Sequence, residues 1–469
     1  MTTVLIVVGV YMAAMLAIGI IFTKKANSTE EYYLSGRSLP APVLMFTFAA
    51  TWIGASSTLG KAGLAYTNGI SAISPTIGSF IAFFIFTAFA GRIRRVGAEH
   101  GICSIPDLFE KRFGKATGLI AALVIAWTMV CTTGTQLIAF SKVLEYMFGP
   151  YGVSYEQSLI IAMAIVVFYT MLSGMYGVAY TDVVQGVILL AVIGIVVPIG
   201  ALSQIGGMGE LKAQLDGSYF QFSPDISMIG YTFTSFLYFV AGPPYWQRAF
   251  AAKSSKSAME GSLGGNIIII FYTIAVVLIG ICAACLYPGV TGSETELVLL
   301  MVAEARFPTI VYALTIAAIL AVIMSTTDSY LILSAQTVTT DIICKVKDVR
   351  EQKSVVNISR ISVVAVGVFA LIFALKMSNI FEAMMLSMTQ FSAAVAVPAL
   401  AALFSRKVTR QGMISSMLSG LAFSVLWRSA LHNPWGLSEA ISGSIVSLIV
   451  IVAVSACTQN KGEPAPYFG

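Results

Sequence analysis

Apolar blocks of about twenty residues alternate along the chain with short polar stretches, and a helix of that length spans a bilayer core of about 30 Å. Thirteen blocks can be drawn, at approximately 3–22, 42–67, 73–92, 117–147, 157–173, 179–203, 226–249, 264–287, 306–341, 357–376, 380–404, 411–430 and 438–457. The fourth and ninth are longer than a bilayer needs, so they are expected to tilt or to run beyond it. Basic residues fall in alternate connections. Lys24, Lys25 and Arg37 follow the first block; Arg92, Arg94, Arg95, Lys111, Arg112 and Lys115 the third; Arg248, Lys253 and Lys256 the seventh. Lys345, Lys347, Arg350 and Lys353 follow the ninth, and Arg406, Lys407 and Arg410 the eleventh. The intervening loops are poor in Lys and Arg, and one holds Glu294, Glu296 and Glu304. The positive-inside rule then puts the N-terminus outside and the C-terminus in the cytoplasm, as an odd number of crossings also requires. No polar insert is long enough for a soluble domain, so residues 1–469 read as one transmembrane domain.

Two blocks are poor continuous helices. The second reads Phe48-Ala-Ala-Thr-Trp-Ile-Gly-Ala-Ser-Ser-Thr-Leu-Gly-Lys61, with Gly54, Gly60 and hydroxyls at 51, 56, 57 and 58. The seventh reads Tyr231-Thr-Phe-Thr-Ser-Phe-Leu-Tyr-Phe-Val-Ala-Gly-Pro-Pro244. They lie five spans apart. Interrupted helices at corresponding places in two halves point to a transporter site between inverted repeats, because unwound backbone at that depth is tolerated only where it lines a cavity. Close helix packing through small residues is an equally weighted reading of the same composition.

Composition adds a class restriction. The chain is 57% hydrophobic and 10% charged, with a mean hydropathy of +0.87, whereas soluble domains are about a quarter charged. The net charge of +5 sits in loops rather than on one stripe, which does not suggest nucleic acid. The first block, Val4 to Phe22, is longer than the apolar region of a signal peptide and has no basic run before it, so it reads as a retained helix. Cys282 and Cys285 share one helix face without acidic or His partners, and read as small buried hydrophobes rather than a redox pair. His100 and His432 fall in loop-like stretches and support neither zinc nor haem.

Acids inside spans are costly and mark function. Asp182 opens the sixth block in Tyr180-Thr-Asp-Val-Val-Gln-Gly186, where a first-turn acid favoured by the helix dipole is the competing reading. Asp328 lies inside the ninth, in Met324-Ser-Thr-Thr-Asp-Ser-Tyr330, flanked by four hydroxyls. Ser325 and Ser329 share a face with Thr326 beside them. Hydroxyls together with carbonyls freed by a broken helix are neutral oxygens, suited to a monovalent hard cation such as sodium; a divalent ion calls for more carboxylates. Hydroxyl clusters also serve as packing glue in membranes.

At these residues the chain resembles the sodium:solute symporter family. The matching stretches are Tyr33-Leu-Ser-Gly-Arg-Ser-Leu39, Ala50-Thr-Trp-Ile-Gly-Ala-Ser-Ser57, Gly69, Tyr180-Thr-Asp-Val-Val-Gln-Gly186, Gly242-Pro-Pro-Tyr-Trp-Gln-Arg248 and Met324-Ser-Thr-Thr-Asp-Ser329. Each is weak singly; together they are specific and span most of the chain. The resemblance implies an all-α membrane protein of the LeuT type. Its core would be an inverted repeat of five plus five helices, over 42–203 and 226–404. One helix (3–22) would precede it and two (411–457) follow it, matching the thirteen counted above. It implies a main sodium site on the carbonyls of Ala50, Ile53 and Val322 and the hydroxyls of Ser325 and Thr326. Some relatives hold a second sodium, and the matching positions here are Asp182, Thr326, Asp328 and Ser329. Asp328 replaces a neutral hydroxyl of sugar-transporting members, a change that could strengthen a sodium site or bring in a proton. The Met-Ser-Thr-x-Asp-Ser pattern looks more like the branch with pantothenate, proline and monocarboxylate carriers than like the sugar carriers.

The family's substrate cavity implies contacts from Trp52, Ser56, Ser57, Gln136, Phe233, Phe236, Tyr238 and Gln390. No charged partner for a substrate is evident inside the membrane. Arg248 reads as an anchor at a cytoplasmic end, and Lys61 as a side chain that snorkels outward. The expected function is sodium-coupled symport of a small organic solute (organic acid, amino acid or vitamin carboxylate) in the inner membrane, with no obligate protein partner. A sodium/sugar or sialic acid symporter, a proton-coupled carrier and a transporter-like sensor are the alternatives. A channel would want a continuous polar ring, and an enzyme a catalytic His, Cys or acid pair at one interface; neither is evident.

Overall fold

A computed structural model describes residues 2–23, 28–349, 351–377, 379–459 and 467–468. Lys24, Lys25 and Arg350, used above to orient the chain, lie outside the described residues. Within them the regular structure is helical, apart from one bridge pairing Leu39 with Ala252. The elements used below are α1 (Thr2–Thr23), α2 (Ala41–Trp52), α3 (Lys61–Asn68), α4 (Ser74–Glu99), α5 (Lys115–Phe148), α6 (Tyr155–Ala191), α7 (Ile226–Ala241) and α8 (Pro243–Ala251). They continue with α9 (Ser255–Leu286), α10 (Thr309–Gln336), α11 (Gln352–Ala374), α12 (Ile380–Phe391), α13 (Val397–Phe404), α14 (Arg410–Ser429) and α15 (Glu439–Thr458).

Nine helical stretches among the described residues are long and apolar enough to cross a membrane. The other expected spans are helical but interrupted, short or more polar. α2 stops at Trp52, and α7 stops at Ala241 ahead of Gly242-Pro243-Pro244, where proline removes a backbone donor and clashes with the preceding turn. α14 carries five serines and two arginines within its 20 residues. The fifth and sixth blocks are two helices that meet at a bend within α6, where Gly174 leaves helical geometry with φ 57°, a conformation open to glycine. Asp182 therefore does not open a helix, as its sequence context suggests. It lies about two turns beyond the bend and is fully buried.

Packing places the broken helix at the centre. α2 is held between α6 and α9, and α10 lies against α1, α5 and α6. The close approach of α9 to α2 depends on glycine: a Cβ on Gly261 would stand 2.4 Å from Leu44 Cβ, and one on Gly265 2.8 Å from Phe48 Cβ. Small residues substitute here for the hydrophobic drive that lipid cannot supply. α7 packs along α4, and α12 along α5; Phe239 of α7 meets Trp52 at the end of α2, and α12 meets the turn over Ser56–Gly60 that follows the break.

Candidate functional site

The second block breaks at Ile53, which leaves the helical region with ψ 91°. The Gly54 N–H, which would close the next turn onto the Ala50 carbonyl, donates instead to Ser57 Oγ at 2.9 Å. The Ala55 N–H donates to Gln136 Oε1 of α5, also at 2.9 Å. Side chains thus cap the restarted helix, as orphan donors away from water require. The segment returns to helix through one wide turn over Ser56–Gly60.

The carbonyls freed by the break face α10. Thr326 Oγ1 lies 3.0 Å from the Ala50 oxygen, 2.9 Å from that of Ile53 and 3.1 Å from that of Val322. Ser325 Oγ lies 3.0 Å from the Val322 oxygen. A hydroxyl has one proton, so it cannot satisfy three carbonyls at once. What remains is a fully buried cluster of neutral oxygens, a donor set that could hold a monovalent cation. Gly54 lets α10 approach this closely: a Cβ there would stand 2.9 Å from Thr326 Oγ1 and 3.1 Å from Gln136 Oε1.

Beside the cluster is a small cavity of about 40 Å³. Trp52, Ser56, Ser57, Gln136 and Thr326 all line it, so the ion-type cluster and four expected substrate residues share one site. Gln136 Nε2 and Trp52 Nε1 are buried donors with no acceptor among the described residues. Lys61 lines it too. It does not snorkel outward as its position suggests: it is 3% exposed, and its ammonium donates to the Ala72 oxygen (3.0 Å) and Thr76 Oγ1 (2.7 Å). A larger space of about 350 Å³ adjoins through Met385, which lines both, and is bordered by Glu382 and the Arg428–Glu439 pair at 3.2 Å.

Four expected substrate residues are not brought together there. Phe233 is 51% exposed on the outer face of α7. Phe236 is half-buried and does not line the cavity, while Tyr238 is buried against Phe239 and Phe391. Gln390 accepts a hydrogen bond from Trp127, itself half exposed on α5. The face of α7 that lines the cavity carries Ser235 and Phe239 instead, and α12 contributes Met384, Met385 and Met388. Polar residues fall on more than one side of both helices (Tyr231, Thr232, Thr234 and Ser235 on α7; Glu382, Ser387, Thr389 and Gln390 on α12), so periodicity does not single out the face that lines the cavity. For Lys61 a signal existed: it follows Ser57 by four residues, near one helical turn.

The positions matched to a second sodium do not gather either. Arg248, expected as an interfacial anchor, is fully buried. It donates to the Thr47 oxygen and Oγ1 at 3.1 Å, the Pro244 oxygen at 3.1 Å and Ser329 Oγ at 2.6 Å. Its Nη2 lies 3.8 Å from Asp182 Oδ2, which also accepts from Thr47 Oγ1 at 2.5 Å. Asp182 and Ser329 therefore meet around a guanidinium. Asp328 turns elsewhere, accepting from Thr170 of α6 at 2.6 Å, and Thr326 belongs to the carbonyl cluster. The reason for the misjudged depth of Arg248 is the second break: α8 restarts at Pro243 inside the fold and carries Arg248 beneath α2 and α10.

Comparison with known proteins bears on the family and the fold. The family model described as the sodium:solute symporter family matches residues 32–420. The osmoregulated proline transporter OpuE of Bacillus subtilis is 28% identical, over 98% of this chain and 96% of that protein. A sodium/proline symporter of Staphylococcus aureus is 27% identical, over 97% and 93%. Among solved structures, a Na+-coupled sialic acid symporter in a substrate-bound outward-open state superposes with a TM-score of 0.82 at 20% identity, covering 99% of both chains, which places this chain in the same fold. A broken helix opposite a hydroxyl-bearing one, in a chain matched over most of its length, leads to one assignment: this protein belongs to the sodium:solute symporter family and couples solute movement to sodium.

Proposed function

We propose that the protein carries a small organic solute bearing a carboxylate, such as an organic acid or amino acid, into the cell together with sodium by alternating access. The names of its proline-carrying relatives and the donor-rich cavity support that solute class. In this reading the chain crosses the inner membrane thirteen times, with the N-terminus outside. Two five-helix repeats over 42–203 and 226–404 hold the site between them. It is a carrier, not an enzyme.

The observation that carries the proposal is the convergence of the Ala50, Ile53 and Val322 carbonyls on Thr326 Oγ1, with Ser325 beside it. Sodium in this cluster would bridge the broken helix to α10 and hold the two in one relative position. The neighbouring solute site would then be preformed when sodium is bound, so sodium binds the two states with different affinity, as coupling requires. Release of the bridge lets the bundle rock and opens the inner side. The membrane potential adds about 2.3 kcal/mol per charge at 100 mV, enough for roughly 50-fold accumulation per ion. Ser325→Ala and Thr326→Ala should each raise the sodium concentration for half-maximal uptake by about tenfold or more, the equivalent of about 1.4 kcal/mol. Unchanged sodium dependence in both variants rejects the assignment. A proton-coupled second reading draws on Asp328, whose Oδ2 has no partner among the described residues. Solute uptake driven by a pH gradient in sodium-free medium, and lost in Asp328→Asn, would favour it.

A further inference from the structure

The central cavity offers hydrogen-bond donors and one buried cation. Lys61 is 3% exposed and forms no ion pair among the described residues; its ammonium rests on a carbonyl and a hydroxyl, Ala72 O and Thr76 Oγ1, and lies 5.9 Å from the centre of the Phe381 ring. An ammonium has three protons to give; two go to these oxygens, and a ring face supplies no counter-charge. Gln136 Nε2 and Trp52 Nε1 are likewise donors without acceptors. The Gln136 amide is oriented by its oxygen, which receives the Ala55 N–H, so its NH2 end is the end left free. Among the described residues, no Asp or Glu lines the cavity. The neighbouring acid on the loop above, Glu296, is committed to Lys142 at 2.5 Å. A buried cation without a counter-charge is costly, and an incoming anion offsets that cost. A zwitterion would bring its own ammonium into a site that already holds one and lacks a carboxylate to receive it.

We propose that Lys61 is the anion anchor of the solute site, and that it selects small carboxylates without an α-ammonium group, meaning 2-hydroxy, 2-oxo or unsubstituted acids, over amino acids. This rests on the symport reading above and sharpens its solute class in a direction the proline-carrying relatives do not suggest. The methionines Met384, Met385 and Met388 fit the same solute. They offer adaptable apolar surface to a short carbon chain, and their rearrangement enlarges a cavity of about 40 Å³ to admit it.

Matched pairs of acids test the proposal. L-lactate differs from L-alanine by hydroxyl for ammonium, and tetrahydrofuran-2-carboxylate differs from L-proline by ring oxygen for ring nitrogen. In saturating sodium, the concentration of each acid that half-maximally protects the purified full-length protein from heat is measured for the native protein, Lys61→Met and Lys61→Arg. Each oxygen acid is expected to act at a concentration lower than its amine partner by about tenfold or more, the scale of one charge-assisted hydrogen bond. Lys61→Met should lose that preference and weaken lactate binding by a similar factor, while Lys61→Arg keeps the preference. The sodium shift without solute should be unchanged in both variants, which reports that they fold. Equal or reversed preference in the native protein overturns the selectivity, and it needs no variant. Full lactate affinity in Lys61→Met overturns the anchor. A normal sodium shift with no response to any of the four acids overturns both. Absence of the sodium shift from the native protein counts against sodium coupling itself, a separate failure.

Discussion

Thr326 does what few single hydroxyls can: it faces three carbonyl oxygens, two of them from a helix that has stopped. Its residue type and its neighbour Ser325 are legible in the sequence, because a hydroxyl run around an intramembrane acid, together with carbonyls freed by a broken helix elsewhere, suggests a monovalent cation, and the family resemblance points to these two positions. The distances were not, since they depend on Gly54 bringing α10 close. The buried cations were less legible still. Lys61 and Arg248 both stand near the ends of hydrophobic runs, where basic side chains ordinarily reach for water. Only the breaks at Ile53 and Gly242 place those ends inside the fold. Arg248 also bears on stoichiometry. With its guanidinium between Asp182 and Ser329, a fixed charge stands where a second ion would need to bind. One coupled sodium is therefore expected, and the sodium activation curve of uptake should have a Hill coefficient near one. A coefficient approaching two, falling to one in Asp182→Asn, would restore the second ion.

At the scale of elements, the two interrupted helices were the strongest sequence signal, and both breaks occur within a few residues of their glycines and prolines. Helix register was the weakest. Phe233 and Gln390 belong to faces turned away from the cavity, and polar residues scattered on more than one side of α7 and α12 do not mark which face that is. One contact between elements invites a direct test. Lys142 of α5 pairs with Glu296 at 2.5 Å, both nearly fully buried, and the other oxygen of Glu296 accepts from the Ile380 and Phe381 N–H groups at the start of α12, at 2.8 and 3.3 Å. This carboxylate ties the loop before α10 to α5 and to a helix start, where the dipole favours negative charge. Glu296→Ala leaves a buried ammonium and two buried donors unpaired, a loss on the order of 3–5 kcal/mol. The double variant Lys142→Ala/Glu296→Ala should be less destabilised than the two single losses added together. Strict additivity in thermal unfolding would show that the pair is not coupled.

For the whole molecule, the alternating basic loops set the expected orientation, and the fold is shared with the sialic acid symporter. The proposed orientation makes a simple labelling prediction. A cysteine introduced at Glu294 should react with an impermeant maleimide added to intact cells. One at Lys407 should react only after the cytoplasmic face is opened. The reverse pattern would invert the topology. In the proposed mechanism, sodium held at the helix break couples ion to solute. Its most direct test is the sodium dependence of solute uptake into proteoliposomes at a fixed membrane potential, for the native protein and Thr326→Ala. Saturable uptake that requires sodium and is not supported by potassium is expected, with the half-saturating sodium concentration raised by about tenfold or more in the variant. Identical sodium curves for the two proteins, or uptake indifferent to sodium, would contradict it.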